Sequence, residues 1–517
     1  MPAQLTTRAQ VNGYRFLLRR LDHALIRRDV RMLHDPMRAQ FRSLVSGAIL
    51  ALLVVAGCAI LAFIRPQGSI GDAKIVMGKD SGALYVVYTN PNDKSDVELR
   101  PVLNLASARL YVGSAESPKS VKDSKLNTMP RGPILGIAGA PAALPGSTQG
   151  DRSQWTICDT VQLSAAGGAA SSVGATTTAI AGKLELSERI KPTDSNAALL
   201  VRSVATKSST ETVTKDYLLY DGKRAEVNLN DPTILRALNL TAPRPRPITT
   251  GLVGAATEVP ALVPPTIPNA GDPGPGRLNG IRVGGVIRVA SLGGSSNSDL
   301  YVVLSDGVQR ISSFTSDVIR AANSQGMDEI KSVPPDLIVG LDRPANPLPV
   351  ADFPSVAPKI IATEDDPVSC ITWSKNKATD VKDADTAEGP SDRAVVSLLV
   401  GTRLPLPDSS VPVKLATSDG TGNRIDGAYI PPTSGEFVQS TGIAPGSRRR
   451  DSLFYIADNG ISYGIPDLKT AQMLGLGSTP RLAPWEVIGQ FVTGPTLSAA
   501  AASTSYDSMI IEKPVGG

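Results

Sequence analysis

Twenty-one consecutive residues without a charge, LVSGAILALLVVAGCAILAFI at positions 44–64, constrain this chain more than any other feature. As a helix rising about 1.5 Å per residue, such a run spans about 30 Å, the thickness of a bilayer's hydrocarbon core. The segment before it holds nine arginines (Arg8, Arg15, Arg19, Arg20, Arg27, Arg28, Arg31, Arg38, Arg42) against Asp22, Asp29 and Asp35, a net +6, while the rest of the chain sums to −2. Because basic flanks stay on the cytoplasmic side, the sequence predicts a cytoplasmic arm over 1–43 and a single membrane helix over 44–64 that ends at Pro66. A domain of about 450 residues then lies on the far side.

Two other readings of the apolar run fit less well. A cleaved signal peptide has a short basic region, and here more than 40 residues come first. Val55-Ala56-Gly57-Cys58 resembles a lipoprotein processing site, yet the run continues six residues past Cys58.

In the arm, Val11, Tyr14, Phe16, Leu17, Leu18, Leu21, Leu25, Ile26, Met32 and Leu33 fall largely at helical spacing, with Arg15, Arg19, Arg20 and Arg31 between and after them. That pattern suits a helix that docks a cytoplasmic partner or lies on anionic lipid. The plainer alternative is a topology signal and nothing more. No base-reading motif accompanies the arginines, so nucleic acid is not an expected partner.

Both histidines, His23 and His34, lie in the arm. The far-side domain therefore lacks the commonest general base and the commonest zinc ligand. With 4% aromatic residues, 47 Gly and 41 Pro, short strands and many turns are expected there.

Four stretches share a pattern of strand, turn, strand and short helix: Ala83-Leu84-Tyr85-Val86-Val87-Tyr88, Tyr217-Leu218-Leu219-Tyr220-Asp221-Gly222-Lys223, Leu300 to Val308 around Asp306-Gly307, and Leu453 to Ile461 around Asn459-Gly460. Asp-Gly and Asn-Gly between apolar runs signal hairpins, because glycine accepts positive φ. The first copy is expected to have a longer loop over 89–97, and helices are expected at 103–110, 233–240, 317–323 and 467–476. The repeats sit in a larger duplication, since Cys158 follows Tyr85 by 73 residues and Cys370 follows Tyr301 by 69. Each cysteine is followed by an apolar strand, Leu199-Leu200-Val201 or Leu398-Leu399-Val400, and then by another hairpin.

The expected fold class is α+β: a helical arm, one transmembrane helix, and an elongated domain of four small hairpin-and-helix repeats around a central mostly-β domain with pseudo-twofold symmetry. The expected division is repeat 1 at 72–138, the first central half at 139–206, repeat 2 at 207–240, a proline-rich linker at 241–280, repeat 3 at 281–345, the second central half at 346–430, repeat 4 at 431–500 and a tail at 501–517. Nine prolines in 241–280 suggest an extended connector.

Cys158 and Cys370 are the only cysteines outside the membrane run. In an oxidising compartment they are expected to pair, with two free buried thiols as the alternative. Trp155 and Trp373 are expected to pack beside that bridge.

Several of these motifs together resemble the EccB family of type VII (ESX) secretion systems of mycobacteria and related actinobacteria. They are Gln10-Val11-Asn12-Gly13-Tyr14-Arg15-Phe16-Leu17-Leu18-Arg19-Arg20 with Arg31-Met32, then Arg65-Pro66, Leu103-Asn104-Leu105-Ala106-Ser107-Ala108-Arg109-Leu110, Arg131-Gly132-Pro133-Ile134-Leu135-Gly136-Ile137, Trp155-Thr156-Ile157-Cys158-Asp159 and Gly494-Pro495-Thr496-Leu497. The resemblance implies a single-pass inner-membrane subunit with a cytoplasmic N-terminus and a periplasmic domain of four repeats around a disulfide-bearing centre. It also implies assembly with EccC, EccD, EccE and the mycosin protease, self-association through the periplasmic domain, and an arm that meets the cytoplasmic partners through Tyr14, Arg15, Phe16, Leu17, Arg19, Arg20 and Arg31.

Members of the family carry an ATPase label. A phosphate loop needs glycines, a lysine and a hydroxyl at set spacing. Gly78-Lys79-Asp80, Gly182-Lys183-Leu184 and Gly222-Lys223-Arg224 each lack part of that set, and Gly284-Gly285 and Gly293-Gly294 lack the context. No catalytic set, metal or cofactor is expected, ATP entering only if the label holds. Glu364-Asp365-Asp366 is a candidate cation cluster whose simpler reading is a solvated loop. The functional expectation is a structural subunit of the export machine, with an ATPase or a cell-wall-binding envelope protein as alternatives.

Overall fold

The computed structural model describes residues 7–28, 30, 36–64, 70–90, 92–150, 152–162, 175–208, 211–290, 298–341, 343–376, 393–418 and 424–506. Among these residues the fold is mixed α+β, with most regular structure in sheets. It divides into two compact units, one of Met1–Asp72 with Gly78–Ser81 and Ser120–Thr128, the other holding the rest.

The first unit is dominated by two helices. Helix α1 (Arg8–Arg27) begins where the Gln10 side chain accepts a hydrogen bond from Thr7 N at 3.0 Å, and it ends at Arg28, which turns left-handed at φ 57°. Helix α2 (Pro36–Ile64) carries no charge on any side from Leu44 to its end. It begins eight residues before the uncharged run, because proline is tolerated in a first turn and Met, Arg, Ala and Gln are good helix formers. Arg65 and Pro66 lie outside the described residues.

In the second unit each repeat is built on three antiparallel strands followed by a helix. They are Ile75–Gly78, Leu84–Asn90, Asp93–Pro101 and Leu105–Val112 in repeat 1, then Ala197–Ser208, Glu211–Tyr220, Lys223–Val227 and Pro232–Ala237 in repeat 2. Repeat 3 has Val286–Ala290, Ser298–Leu304, Gly307–Ile311 and Ser313–Ala322, and repeat 4 has Gly435–Thr441, Leu453–Ala457, Ile461–Ile465 and Leu468–Leu474. In repeats 2, 3 and 4 a short strand returns parallel to the first: Arg246–Ile248, Lys331–Val333 and Arg481–Pro484. All four helices start on a capping side chain. Asn104, Asp231, Ser312 and Asp467 accept from the backbone N–H of Ser107, Thr233, Thr315 and Thr470 at 2.7–3.0 Å.

The turn chemistry holds at two of the three glycine signals. Asp221 and Gly222 (φ 48° and 70°) form the two-residue turn of repeat 2, and Gly460 (φ 80°) closes that of repeat 4. In repeat 3 Leu304 pairs with Gly307, so Ser305 and Asp306 make the turn and Gly307 is already strand. The long loop expected at 89–97 is largely strand, since Thr89 pairs with Val97 and Asn90 with Asp93 across an irregular register.

No repeat buries its helix alone. Ile234 and Ala237 of repeat 2 share a core with Phe314 and Val318 of repeat 3. Ala106 and Leu110 of repeat 1 share another with Ala471 and Leu474 of repeat 4. Past the last helix (Ala499–Ala502), Ser505–Tyr506 pairs with Ile134–Leu135, so the start of the expected tail is strand joined to the repeat 1 segment.

The central sheet runs Val413–Lys414, Gly427–Tyr429, Ala175–Ala181, Arg152–Val161, Val368–Asn376, Val395–Gly401, Ile190–Pro192. Its middle four strands are one hairpin-like pair from each half. The first-half counterpart of the Leu398-Leu399-Val400 strand is thus Ala175–Ala181, each pairing with its own half's cysteine strand, and not Leu199-Leu200-Val201, which opens repeat 2. The Ala/Thr composition of Ala175–Ala181 hid it among apolar runs. The proline-rich stretch is also corrected: Arg246–Ile248, a helix Thr250–Gly254 and Thr257–Leu262 all belong to repeat 2. Pro247 and Pro260 are tolerated because these strands are the two edges of that sheet.

Candidate functional site

At 100° per residue, α1 separates the expected contact residues into two faces. Tyr14, Leu17, Leu18, Leu21 and Leu25 form one apolar stripe, and each is 45–73% exposed. Phe16 lies on the other side of the helix, flanked by Arg19 and Arg20, with Arg15 at the boundary. Arg31 lies outside the described residues. No residue of the span that follows is buried, and it is helical through Cys58, which is exposed.

The glycine–lysine stretches do not fit a phosphate cradle. Gly78 ends a strand, and Lys79 N and Asp80 N donate to Val121 O and Asp123 Oδ2 at 2.8 Å each. Gly182 follows the strand Ala175–Ala181, its N–H on Gln154 O. Lys223 follows a hairpin turn and pairs with Asp352 at 2.9 Å. None of the three opens a helix, where backbone N–H groups converge on an anion. Gly284 lies in a turn before Val286–Ala290, and Gly293-Gly294 falls outside the described residues.

The two cysteine motifs read in opposite order, WTIC and CITW, and antiparallel pairing turns that mirror order into like-with-like opposition. Trp155 faces Trp373, Thr156 faces Thr372, Ile157 faces Ile371, and Cys158 faces Cys370. The cysteines are joined, their Cα atoms 4.0 Å apart, as the sequence led one to expect. The tryptophans do not pack beside the bridge, however. Strand alternation sends them to the opposite face, into the core where repeats 2 and 4 meet the central sheet, while the disulfide joins Ile180, Ile190, Val368 and Leu399 on the other. Trp155 Nε1 donates to Ser153 Oγ (2.9 Å), Ser153 Oγ donates to Leu482 O (2.7 Å), and the ring meets Phe491 edge-on at 6.1 Å.

One residue past Cys158, and so on the tryptophan face of the sheet, lies a buried polar cluster that sequence reading missed. Asp159 is fully buried, and its carboxylate accepts from Thr249 N (2.7 Å), Thr249 Oγ1 (2.9 Å) and Thr177 Oγ1 (2.9 Å). Burial pushes its pKa up to about 6; the three hydrogen bonds oppose that and the Asp426 charge adds to it. Asp426 accepts from Thr177 N and Ser418 Oγ, both at 2.8 Å. Arg246 is buried nearby, donating to Ala362 O at 3.2 Å. Burial lowers its pKa to about 10 against the pull of Asp366, Glu364 and Asp159. The acidic turn thus faces a guanidinium, and no cation-binding group of acids, histidines or cysteines forms among the described residues. The one signal for the cluster was Asp159 beside Cys158; Arg246 lay hidden in a stretch that composition marks as a connector.

A basic arm, one bare membrane span and a repeat-built, disulfide-bridged domain define a single-span envelope protein with no assembled catalytic set among the described residues. The chain belongs to the family described as type VII secretion system ESX-1, transport TM domain B, whose model matches residues 3–511. It is 36% identical, over 97% of its length and 91% of the relative, to a Mycolicibacterium smegmatis protein named ESX-3 secretion system ATPase EccB3. It is 34% identical to the Mycobacterium tuberculosis protein named ESX-1 secretion system ATPase EccB1, over 98% of this chain and 96% of that one. Its fold matches a chain of the intact ESX-5 inner membrane complex with a TM-score of 0.69 and 29% identity, covering 100% of this chain and 99% of that one. It also matches an EccB3 dimer from the ESX-3 core complex with a TM-score of 0.66 and 31% identity, over 84% and 100%.

Proposed function

We propose that this chain is a structural subunit of a type VII secretion inner-membrane complex, its arm clamping cytoplasmic partners and its far-side unit joining a periplasmic assembly. The observation that carries the reading is α1: an apolar stripe through Tyr14, Leu17 and Leu21 that stays exposed, beside an arginine-rich flank, immediately before a membrane span. A surface helix normally buries such a stripe, so another subunit is its natural cover. The membership and the structural matches along nearly the whole chain support the same reading. EccC and EccD are the cytoplasmic-side partners proposed, with EccE and the mycosin protease as further members, and the arginines ahead of the span support a cytoplasmic N-terminus. The reading rests on no nucleotide chemistry, and the glycine–lysine turns offer no phosphate cradle for any.

Affinity capture of the chain from gently solubilised membranes, followed by non-reducing mass spectrometry, tests the proposal. Co-capture of EccC, EccD and EccE with an uncleaved protein bridged at Cys158–Cys370 is the expected result. Recovery of the chain alone, or lipid-modified at Cys58, would overturn it.

A further inference from the structure

One aromatic position recurs in all four repeats. Tyr85, Tyr217, Tyr301 and Phe454 sit on the second strand, opposite Val76, Val201, Ile287 and Val438 of the first. In repeats 2 and 4 this is a docking face: Tyr217 and Phe454 border the core that Val201, Leu219, Val438 and Ile456 share with the central tryptophans. Trp485 further covers Phe454, ring centroids 5.8 Å apart. In repeat 1 the Arg131 guanidinium lies 5.5 Å from the centre of the Tyr85 ring.

Repeat 3 differs. Its face is partly covered by its own segments around Leu278 and Leu341, and a surface cleft of about 620 Å³ remains over Tyr301. Tyr301, Val308, Ile338 and Leu341 give the cleft an apolar floor, with Arg310 and Arg343 at its rim. Arg310 pairs with Asp299 at 2.6 Å in an exposed setting. Arg343 is exposed, and no hydrogen bond or ion pair engages it among the described residues. A concave apolar floor with a few charged groups is the form of a binding site, and the same face of two sister repeats packs against the chain's own central domain.

We propose that this cleft receives residues 507–512 of a second copy of the chain, Asp507-Ser508-Met509-Ile510-Ile511-Glu512. Three apolar side chains between two carboxylates complement an apolar floor edged by Arg343 and by Arg310, whose charge Asp299 already shares. The other acidic stretch outside the described residues, 377–392, has five carboxylates but only Val381 as a large apolar residue, so it leaves the floor unmatched. The donor is a second copy because Tyr506 pairs with Ile134 beside repeat 1, which packs on repeat 4, whereas the cleft belongs to repeat 3, which packs on repeat 2. Six extended residues reach about 20 Å at most, and the packing order from repeat 1 to repeat 4, the central sheet, repeat 2 and repeat 3 separates Tyr506 from the cleft. The contact is therefore head-to-tail, of the kind that closes rings. A short segment binds weakly alone, and anchoring both copies in one membrane raises its effective concentration. The inference deepens the self-association within the proposed function by naming one contact, and its test needs none of the secretion partners.

The test is fluorescence anisotropy of a labelled synthetic peptide covering residues 505–515, titrated with the detergent-solubilised chain shortened after Tyr506. Saturable binding is expected. Arg343→Glu and Leu341→Asp in the chain, and Ile510→Asp in the peptide, should each weaken it by about tenfold or more. An unchanged thermal transition and an intact Cys158–Cys370 bridge show that the variants are folded. Absence of saturable binding, or binding indifferent to both receptor variants, overturns the proposal. The intact chain at nanomolar concentration should also bind the peptide. If its own tail blocks the site even there, the second-copy arrangement is wrong.

Discussion

Cys158 and Cys370 lie directly opposite each other on adjacent antiparallel strands, although 212 residues separate them in the chain. The bridge therefore ties the two halves of the domain at the seam where their sheets become one. Nine residue pairs on those strands hold the same register, and the side chains of the tryptophan and cysteine pairs fill opposite faces.

Loss of the bridge should weaken the fold without changing it. In the chain-entropy model, closing a loop of this length is worth about 5 kcal/mol, an upper figure where the unfolded chain keeps structure. Cys158→Ser, or reduction of the wild-type protein, should lower the denaturant midpoint substantially, while hydrogen exchange still protects both strands. Equal midpoints in both redox states would show that strand pairing alone holds the seam.

The arm should respond to changes on its two faces differently. Leu17→Asp with Leu21→Asp places charge in the exposed stripe and should abolish co-capture of cytoplasmic partners while membrane insertion continues. Arg15→Glu, Arg19→Glu and Arg20→Glu together should weaken capture in a salt-dependent way, since exposed pairs contribute only about 0–1 kcal/mol each. Capture that tolerates the leucine changes would mean that the stripe rests on lipid instead.

Much of this organisation was legible before any coordinates, for identifiable reasons. The anchor is a matter of length and apolarity, and the hairpins announce themselves through Asp221-Gly222 and Asn459-Gly460. Three of the four helices begin within two residues of the expected start, and the third begins at Ser313, four residues before 317, on a Ser312 cap that apolar spacing does not show. What stayed hidden is short or compositionally bland. The returning strands of repeats 2, 3 and 4 are three or four residues long. Ala175–Ala181 lacks large apolar residues, and edge strands carrying Pro247 and Pro260 look like a connector. The opposite faces of Trp155 and Cys158 were readable from alternation, since three residues separate them. The Asp159 cluster was not, because its partners Thr249 and Asp426 come from distant segments.

Stability should fall as pH rises through Asp159's titration. Its folded pKa of about 6 exceeds the ordinary carboxylate value of 3.8, so folding favours the protonated form. The stabilisation is complete below about pH 4 and is lost as pH rises through 6, on the order of 3 kcal/mol for a shift of about two units. Asp426 and Arg246 face the group, and Arg246 in turn faces Asp366 and Glu364. Asp159→Asn keeps an acceptor for Thr249 N and should flatten the dependence between pH 4 and 7 in chemical denaturation. A variant as pH-sensitive as the wild type would assign the effect to other groups.

The two central tryptophans should not be equivalent despite equal burial. Trp155 donates through Ser153 to the backbone of Leu482 in repeat 4, so Trp155→Phe breaks a buried chain of hydrogen bonds as well as removing ring volume. Trp373 is as deeply buried, but its Nε1 has no partner among the described residues, and replacing it removes an unpaired donor. A buried donor without a partner costs about 1–3 kcal/mol, which offsets part of the volume lost in Trp373→Phe. Trp155→Phe should therefore be the more destabilising change by about 1–2 kcal/mol, measured by urea unfolding. Alanine at either position should cost about 3–5 kcal/mol, because each ring fills the junction of the central sheet with repeats 2 and 4. Equal losses for the two phenylalanine variants would mean that Trp373 finds a hydrogen-bond acceptor, such as an ordered water, and that the two rings carry the same load.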